Sequence, residues 1–355
     1  MSSKLHPLHP HSPWRIFAFS AVVSVAVLLG ILVKRGGDAL GVALILIAVE
    51  IAFSFDNAII NAKVLAKLSP FWQKMFLTAG ALVAIFGMRI VFPILIVAVT
   101  AHLGWSSVLN LALHHPHQYA EKLVAAHPSI AAFGGAFLLV LALDFFADNE
   151  HQVLWFTRLE RNLQKLARHW APPLITLCAV GLVSILPWNH DKRETIAAGI
   201  LGVIIYSALH GLTEVMGKLH AKRNPSGAQA TGLIAFLSFL YLEVLDASFS
   251  FDGVIGAFAI TNSVVLIAAG LGVGALWVRS LTIFMVRRGT LGNYKYIEHG
   301  AHYTVAVLAV LLFVSIMYDV PEVITGLAGL GIIASSVVAS RQAVMDGRLR
   351  KRPKT

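Results

Sequence analysis

Residues 50–59, Glu50-Ile-Ala-Phe-Ser-Phe-Asp56-Asn57-Ala-Ile, return further along the chain as residues 246–255, Asp246-Ala-Ser-Phe-Ser-Phe-Asp252-Gly253-Val-Ile. Each copy sits in an apolar run. A second apolar helix follows with one arginine inside it, Arg89 in Gly-Met-Arg-Ile-Val-Phe-Pro and Arg279 in Trp-Val-Arg-Ser-Leu-Thr-Ile-Phe, and then a third span. The unit is therefore three helices used twice. The first helix of the second copy is the fifth predicted span after the first helix of the first, an odd step, so the copies cross the bilayer in opposite directions. Inverted repeats of this kind are the usual architecture of secondary transporters, because two antiparallel bundles can rock about a site at their interface.

Outward from these copies, the composition agrees. Of 355 residues, 57% are hydrophobic and 13% charged, with a mean hydropathy of +0.75; soluble domains carry about 25% charged residues. A soluble globular protein is excluded. Continuous apolar blocks such as Ala-Val-Val-Ser-Val-Ala-Val-Leu-Leu (21–29) also exclude an outer-membrane barrel, whose strands alternate in polarity. The expected fold class is all-α, a polytopic transmembrane helical bundle. Ten spans are predicted, near 15–33, 39–61, 75–100, 128–147, 171–187, 195–215, 230–252, 260–286, 299–317 and 321–340. The first resembles a signal peptide but is long and is followed by Lys34-Arg35-Gly36-Gly37 without a small-x-small cleavage site, so it reads as an uncleaved span. With the single cysteine Cys178, no intrachain disulfide and no cysteine metal cage can form.

Orientation follows from the basic residues. With both termini cytoplasmic, the inside segments hold 21 Lys plus Arg and the outside segments 5. The net charge of +10 is thus explained by topology and anionic lipid, without nucleic acid as a partner. The expected organisation is an N-terminal tail and first span (1–38), repeat A (39–147), a basic amphipathic inner-surface helix near 150–170 with two connecting spans (148–229), repeat B (230–317), and a last span with a basic tail (318–355). The expected location is a bacterial inner membrane, multi-pass.

The chemistry lies in the intramembrane carboxylates. Glu50 and Asp56 in one copy and Glu243, Asp246 and Asp252 in the other each cost roughly 2.5–3.5 kcal/mol at the bilayer centre. Arg89 and Arg279 neutralise two as supporting ion pairs; the excess must be met by cations, protons or polar cavities. A cation site is the simplest single account. On a helix, Glu50, Ser54 and Asn57 share one stripe, as do Glu243, Asp246 and Ser250. Asp56 and Asp252 join them only if the helix unwinds near Ser-Phe-Asp. Carboxylates, an amide and hydroxyls suit hard cations such as Mn²⁺, Ca²⁺ or Mg²⁺. The expected metal set is Glu50, Asp56, Asn57, Glu243, Asp246 and Asp252, with Ser54, Ser250, Asp144, Glu298, His299 and His302 as secondary candidates. Glu298 and His302 share a helix face, which suggests a cytoplasmic metal entry point or a proton relay, against a simple interfacial cap.

These residues resemble the TerC family of integral membrane proteins, in the LysE transporter superfamily. That family's first motif, an acid followed six residues later by Asp-Asn, is met by Glu50 and Asp56-Asn57; its second, Glu-x-x-Asp-x5-Asp leading into Phe-Ala-Ile-Thr, by Glu243, Asp246, Asp252 and Phe258–Thr261. Arg89 and Arg279 stand at matching places in the following helices. The resemblance covers roughly residues 39–147 and 230–317 and implies export of a divalent metal, chiefly Mn²⁺, with an association with tellurium resistance. Gly253, where many members carry Ser-Ile-Pro, and His299-Gly-Ala-His302 depart from the pattern and suggest a separate branch.

The expected activity is proton-coupled export of a divalent cation, with the bilayer, the metal ion and protons as partners and no permanently bound cofactor. No Gly-x4-Gly-Lys-Ser/Thr loop points to ATP as the energy source. Alternatives are an exporter of an organic solute or oxyanion, or a non-transporting assembly or metal-delivery factor at the translocation machinery. A homo-oligomer is a further partner expectation. An intramembrane hydrolase is disfavoured, because the Gly-x-Gly-Asp sequence of aspartyl intramembrane proteases is missing, so the protein is read as no enzyme.

Overall fold

A computed structural model describes residues 13–148, 153–165, 170–223, 231–261, 263–289, 292 and 294–350; at 216–223, 249–252, 255, 259, 322 and 345–350 it describes the backbone alone. The described chain is all-helical, without a β-strand. Seven of its helices are long and apolar enough to cross a membrane, and Ala171–Ile185 is a shorter apolar helix. The chain divides into two compact units, one of residues 1–130 and 208–288, the other of residues 131–207 and 289–355.

The first unit begins with α1 (Pro13–Phe53), too long for one crossing at 1.5 Å per residue. It is a hairpin of two helical limbs. Gly36, at φ 84° and ψ −174°, lies in backbone space that only glycine occupies at little cost, and the chain reverses there. Contacts with α11 (Val264–Arg288) establish the reversal. Ser20 Oγ lies 2.7 Å from Ser280 Oγ and Arg35 donates to Ser263 Oγ at 2.9 Å, so the first limb runs against α11. Leu46 then packs on Gly270 and Glu50 on Gly274, so the second limb runs with it. The predicted spans 15–33 and 39–61 are these two limbs, except that the second stops at Phe53.

At Ser54 (φ −98°, ψ 17°) the helix falters, and α2 (Phe55–Ala66) continues in a new register. The element α3 (Pro70–Thr100) follows, wound as a π-helix over Val83–Val91 ahead of Pro93. Proline has no N–H and crowds the carbonyl four residues back, which a widened turn relieves. Two short helices, α4 (Trp105–His114) and α5 (Pro116–Ala125), fold back onto the bundle: Tyr119 and Leu123 are fully buried in one core with Val254, Ala257 and Leu271. Burial raises the Tyr119 phenol above its ordinary pKa. Within the same loop His114, His115 and His117 point outward, as expected for a solvated segment.

The helix α10 (Gly232–Ile260) carries the second Ser-Phe-Asp copy and is unbroken through it. Next in the chain is α11, which is predominantly apolar and correspondingly buried. The copies run antiparallel in this unit. Glu50 abuts Gly253 while Asn57 meets Asp246, and on α3 and α11 Gly80 faces Arg279 while Ile85 faces Gly272.

The second unit contains most of α6 (His127–Ala147), α7 (Thr157–Lys165), α8 (Ala171–Ile185), the first half of α9 (Lys192–Arg223), α12 (Ile297–Ser315) and α13 (Glu322–Arg350). Small residues bring its helices together, as is common between membrane helices. Gly135 packs on Ala309 and Phe313 and Gly300 on Ser336, and Thr304 Oγ1 donates to the Gly329 carbonyl at 3.4 Å. The first two helices of each repeat copy thus lie in the first unit, and the third helix of each, α6 and α12, in the second.

Candidate functional site

Three carboxylates and two guanidiniums form a buried centre in the first unit. Glu50 ends the second limb of α1, and Arg89, carried by the π-wound part of α3, donates to it from Nη2 and to the Ala84 carbonyl from Nη1 at 2.9 Å. Ser54 Oγ donates to the same Glu50 Oε1 at 3.3 Å, across the helical i to i+4 spacing. In the other copy, Arg279 grips Glu243 with both Nη atoms (3.0 and 2.9 Å) and donates to Asp246 Oδ2 at 2.8 Å. It is steadied by the Phe76 carbonyl at 3.0 Å and by the Phe76 ring, 4.3 Å from the guanidinium. Bidentate Arg–carboxylate bonds of this length are the strong, geometrically specific kind.

Asn57 links the copies, donating from Nδ2 to Asp246 Oδ1 at 2.6 Å. Aligning the repeats sets Glu50 on Asp246 and Asn57 on Gly253, so the Glu50–Gly253 contact and the Asp246–Asn57 bond are exchanged by one two-fold operation. Both arginines likewise pair with the leading acid of their own copy. Glu243 breaks the correspondence, because its counterpart is Ile47.

All five charged groups of this centre are buried, Arg89 and Arg279 at 2% exposure. Asp56, also buried, is outside the ion pairs, and no basic side chain faces it among the described residues. Four carboxylates therefore stand against two guanidiniums among the described side chains. Polar atoms are left over as well. Asn57 Oδ1, Asn61 Oδ1, Arg89 Nε and Arg279 Nε are buried without a hydrogen-bond partner, a costly condition in a native interior. The described residues hold no group of three His, Cys, Asp or Glu arranged to take a metal; in this conformation the arginines occupy the acids.

Of the sequence-derived set, the structure brings together Glu50, Ser54, Asn57, Arg89, Glu243, Asp246 and Arg279. The side chains of Ser250 and Asp252 lie outside the described residues. Asp144, Glu298, His299 and His302 belong to the second unit. There Tyr206 donates to Asp144 at 2.9 Å, which ties the end of α6 to α9. His302 stacks flat on Phe145 at 3.6 Å, with Nδ1 2.9 Å from the Glu298 carbonyl, and His299 Nε2 lies 3.5 Å from Glu160 Oε2.

Two residues escaped the sequence reading. Glu160 is the hub of the second cluster: its carboxylate accepts the Trp155 and Phe156 N–H groups (3.1 and 3.0 Å) and the Tyr303 hydroxyl (2.9 Å). Its signal was one acid on a run otherwise basic, between Arg158, Arg161 and Lys165. Asn61, only 2% exposed, lies one turn beyond Asn57, and that spacing was its signal.

A centre of paired acids and arginines, buried between antiparallel apolar helices, defines a polytopic helical membrane protein organised around intramembrane carboxylates. The chain belongs to the family described as "Protein of unknown function (DUF475)", which it matches over residues 55–346. That range takes in every residue of the centre except Glu50 and Ser54. No curated protein and no solved structure matches the chain.

Proposed function

We propose that this protein is a secondary transporter that exports a divalent cation, Mn²⁺ first among candidates, from the cytoplasm in exchange for protons, and is no enzyme. One observation carries the reading: a buried centre of three carboxylates against two guanidiniums, with a fourth buried carboxylate, Asp56, outside the ion pairs, where two antiparallel copies of one motif meet. Structural ion pairs alone need no such excess of acid, whereas a carrier of cations does. The resemblance to the TerC family supplies the metal and the direction of export. Glu50, Asp56, Asn57, Glu243, Asp246 and Asp252 make up the proposed ligand set; because α10 is unbroken at Ser-Phe-Asp here, Asp252 joins it only if that helix unwinds during the cycle.

In this reading the arginines are counter-ions of the acids, tethered to the protein. An arriving cation takes over carboxylates that Arg89 and Arg279 hold, and the guanidiniums withdraw to other acceptors as the bundle rearranges. Protons replace the metal on the return step, because acids in a low-dielectric site are more stable neutral than charged. Mn²⁺ and Ca²⁺ uptake into inside-out vesicles under an imposed pH gradient tests the proposal, with Asp56→Asn and Asp252→Asn as variants. Gradient-dependent uptake that collapses in both supports it; uptake that survives in both overturns the ligand set.

The unpartnered Nε donors of the two arginines favour a second reading, export of an organic anion or oxyanion. Metal-independent flux of such a solute in the same vesicles would select it.

A further inference from the structure

The amide of Asn57 is oriented by its neighbour: Nδ2 faces the Asp246 carboxylate, so Oδ1 points elsewhere and meets no donor. Asn61 lies four residues on, hence on the same face of α2. Its Oδ1 is buried and unpartnered too. The two residues are 1% and 2% exposed. Two buried amide oxygens one helical turn apart on α2, both without a donor, sit on the helix that bonds to the charge centre through Asn57, and such oxygens suit a hard cation as neutral ligands. Hydrophobic packing would not retain two such amides, since leucine fills nearly the same volume without the unmet acceptor.

We infer that Asn57 Oδ1 and Asn61 Oδ1 are a pair of neutral oxygen ligands for a hard divalent cation held in an occluded state, and that Asn61 helps set the cation preference of the site. The inference rests on the cation reading above and extends its ligand set by one turn of α2. Neutral carbonyl oxygens lower the charge of a site without lowering its ligand number. Calcium takes six to eight oxygens at longer distances, whereas magnesium demands a tight octahedron, so exchanging one amide for a carboxylate at this position shifts selectivity.

The test uses the full-length protein in detergent, with the shift of its thermal unfolding midpoint read against added Mn²⁺, Ca²⁺ or Na⁺ alone. Asn61→Leu is expected to weaken divalent binding roughly ten- to a hundred-fold, the loss that follows removal of one contact to a charged group, while Asn61→Asp retains binding and changes the order of preference between Mn²⁺ and Ca²⁺. A divalent response in native protein that Asn61→Leu leaves unaltered overturns this inference alone and leaves a buried water as the partner of Asn61. Should the leucine variant fail to fold, Asn61→Asp decides, and native affinity and preference there overturn the inference. Native protein with no divalent response removes the cation reading, and this inference with it.

Discussion

Arg279→Leu is the sharpest perturbation of the charge centre. The arginine makes three charge-assisted hydrogen bonds to Glu243 and Asp246, at 2.8–3.0 Å, and is 2% exposed. Leucine fills most of the volume but leaves two buried carboxylates without their cation. At about 1.5–3 kcal/mol per charged hydrogen bond the gross loss would exceed 4 kcal/mol, but relaxation and water entry recover some of it. Removing one partner of a buried pair costs about 3–5 kcal/mol, and this range is the expected destabilisation. Arg279→Lys keeps the charge but cannot reproduce the fork, and should lose about 1–3 kcal/mol. Adding Glu243→Leu to Arg279→Leu should restore about 2 kcal/mol, because the second substitution removes one of the orphaned charges. Equilibrium unfolding in mixed detergent micelles, followed by circular dichroism, measures these four proteins together with the Glu243→Leu single variant. A loss below about 1 kcal/mol for Arg279→Leu, or strictly additive losses in the double variant, would refute the claim that these charges are mutually dependent.

Three further outcomes are expected. Gly274→Val places a Cβ 2.5 Å from Glu50 Cβ and 3.2 Å from the Ile47 carbonyl; overpacking of this kind should cost about 1–3 kcal/mol in the same unfolding assay, and no loss would show that the helices part freely. Gly36→Ala imposes a side chain at φ 84° and should lower stability by about 1–3 kcal/mol; native stability in the variant would argue against the reversal at this residue. Glu160→Ala leaves the Tyr303 hydroxyl and two backbone N–H groups without their acceptor and should make residues 153–165 exchange amide hydrogens at least tenfold faster, while unchanged exchange would deny Glu160 its anchoring role.

Much of the membrane architecture was legible because each level of the sequence said the same thing. Long apolar runs and a repeated acid motif both specify crossings, and the arginines one helix later were read as counter-ions for two of the acids. Other features depend on distances between segments that no local pattern encodes. Tyr119 and Leu123 occupy a stretch polar enough to read as a loop, yet its apolar minority is what the core buries. Glu160 looked like part of a solvated face, because amphipathicity reports which side is polar and not whether one acid turns inward to collect donors. The helix break at Ser54 follows from no residue type: the same Ser-Phe-Asp sequence is continuous in α10. Asn61 was hidden for the opposite reason, a single amide within an apolar run, where only burial and the want of a partner distinguish it.

The mismatch between the two copies has a further consequence for how such a machine would keep time. A carrier built from two identical halves has mirror-image end states of equal energy, so it faces either compartment equally often until a gradient biases it. Here one half is kinked and singly charged at its leading position, while the other is straight and holds Glu243 where its counterpart has Ile47. Swapping the roles of the halves therefore does not return the same energy. If the protein is the carrier proposed above, its covalent structure would give it a preferred resting orientation, a bias that would set which compartment loads first and leave the ion gradient to drive the less favoured half of the cycle.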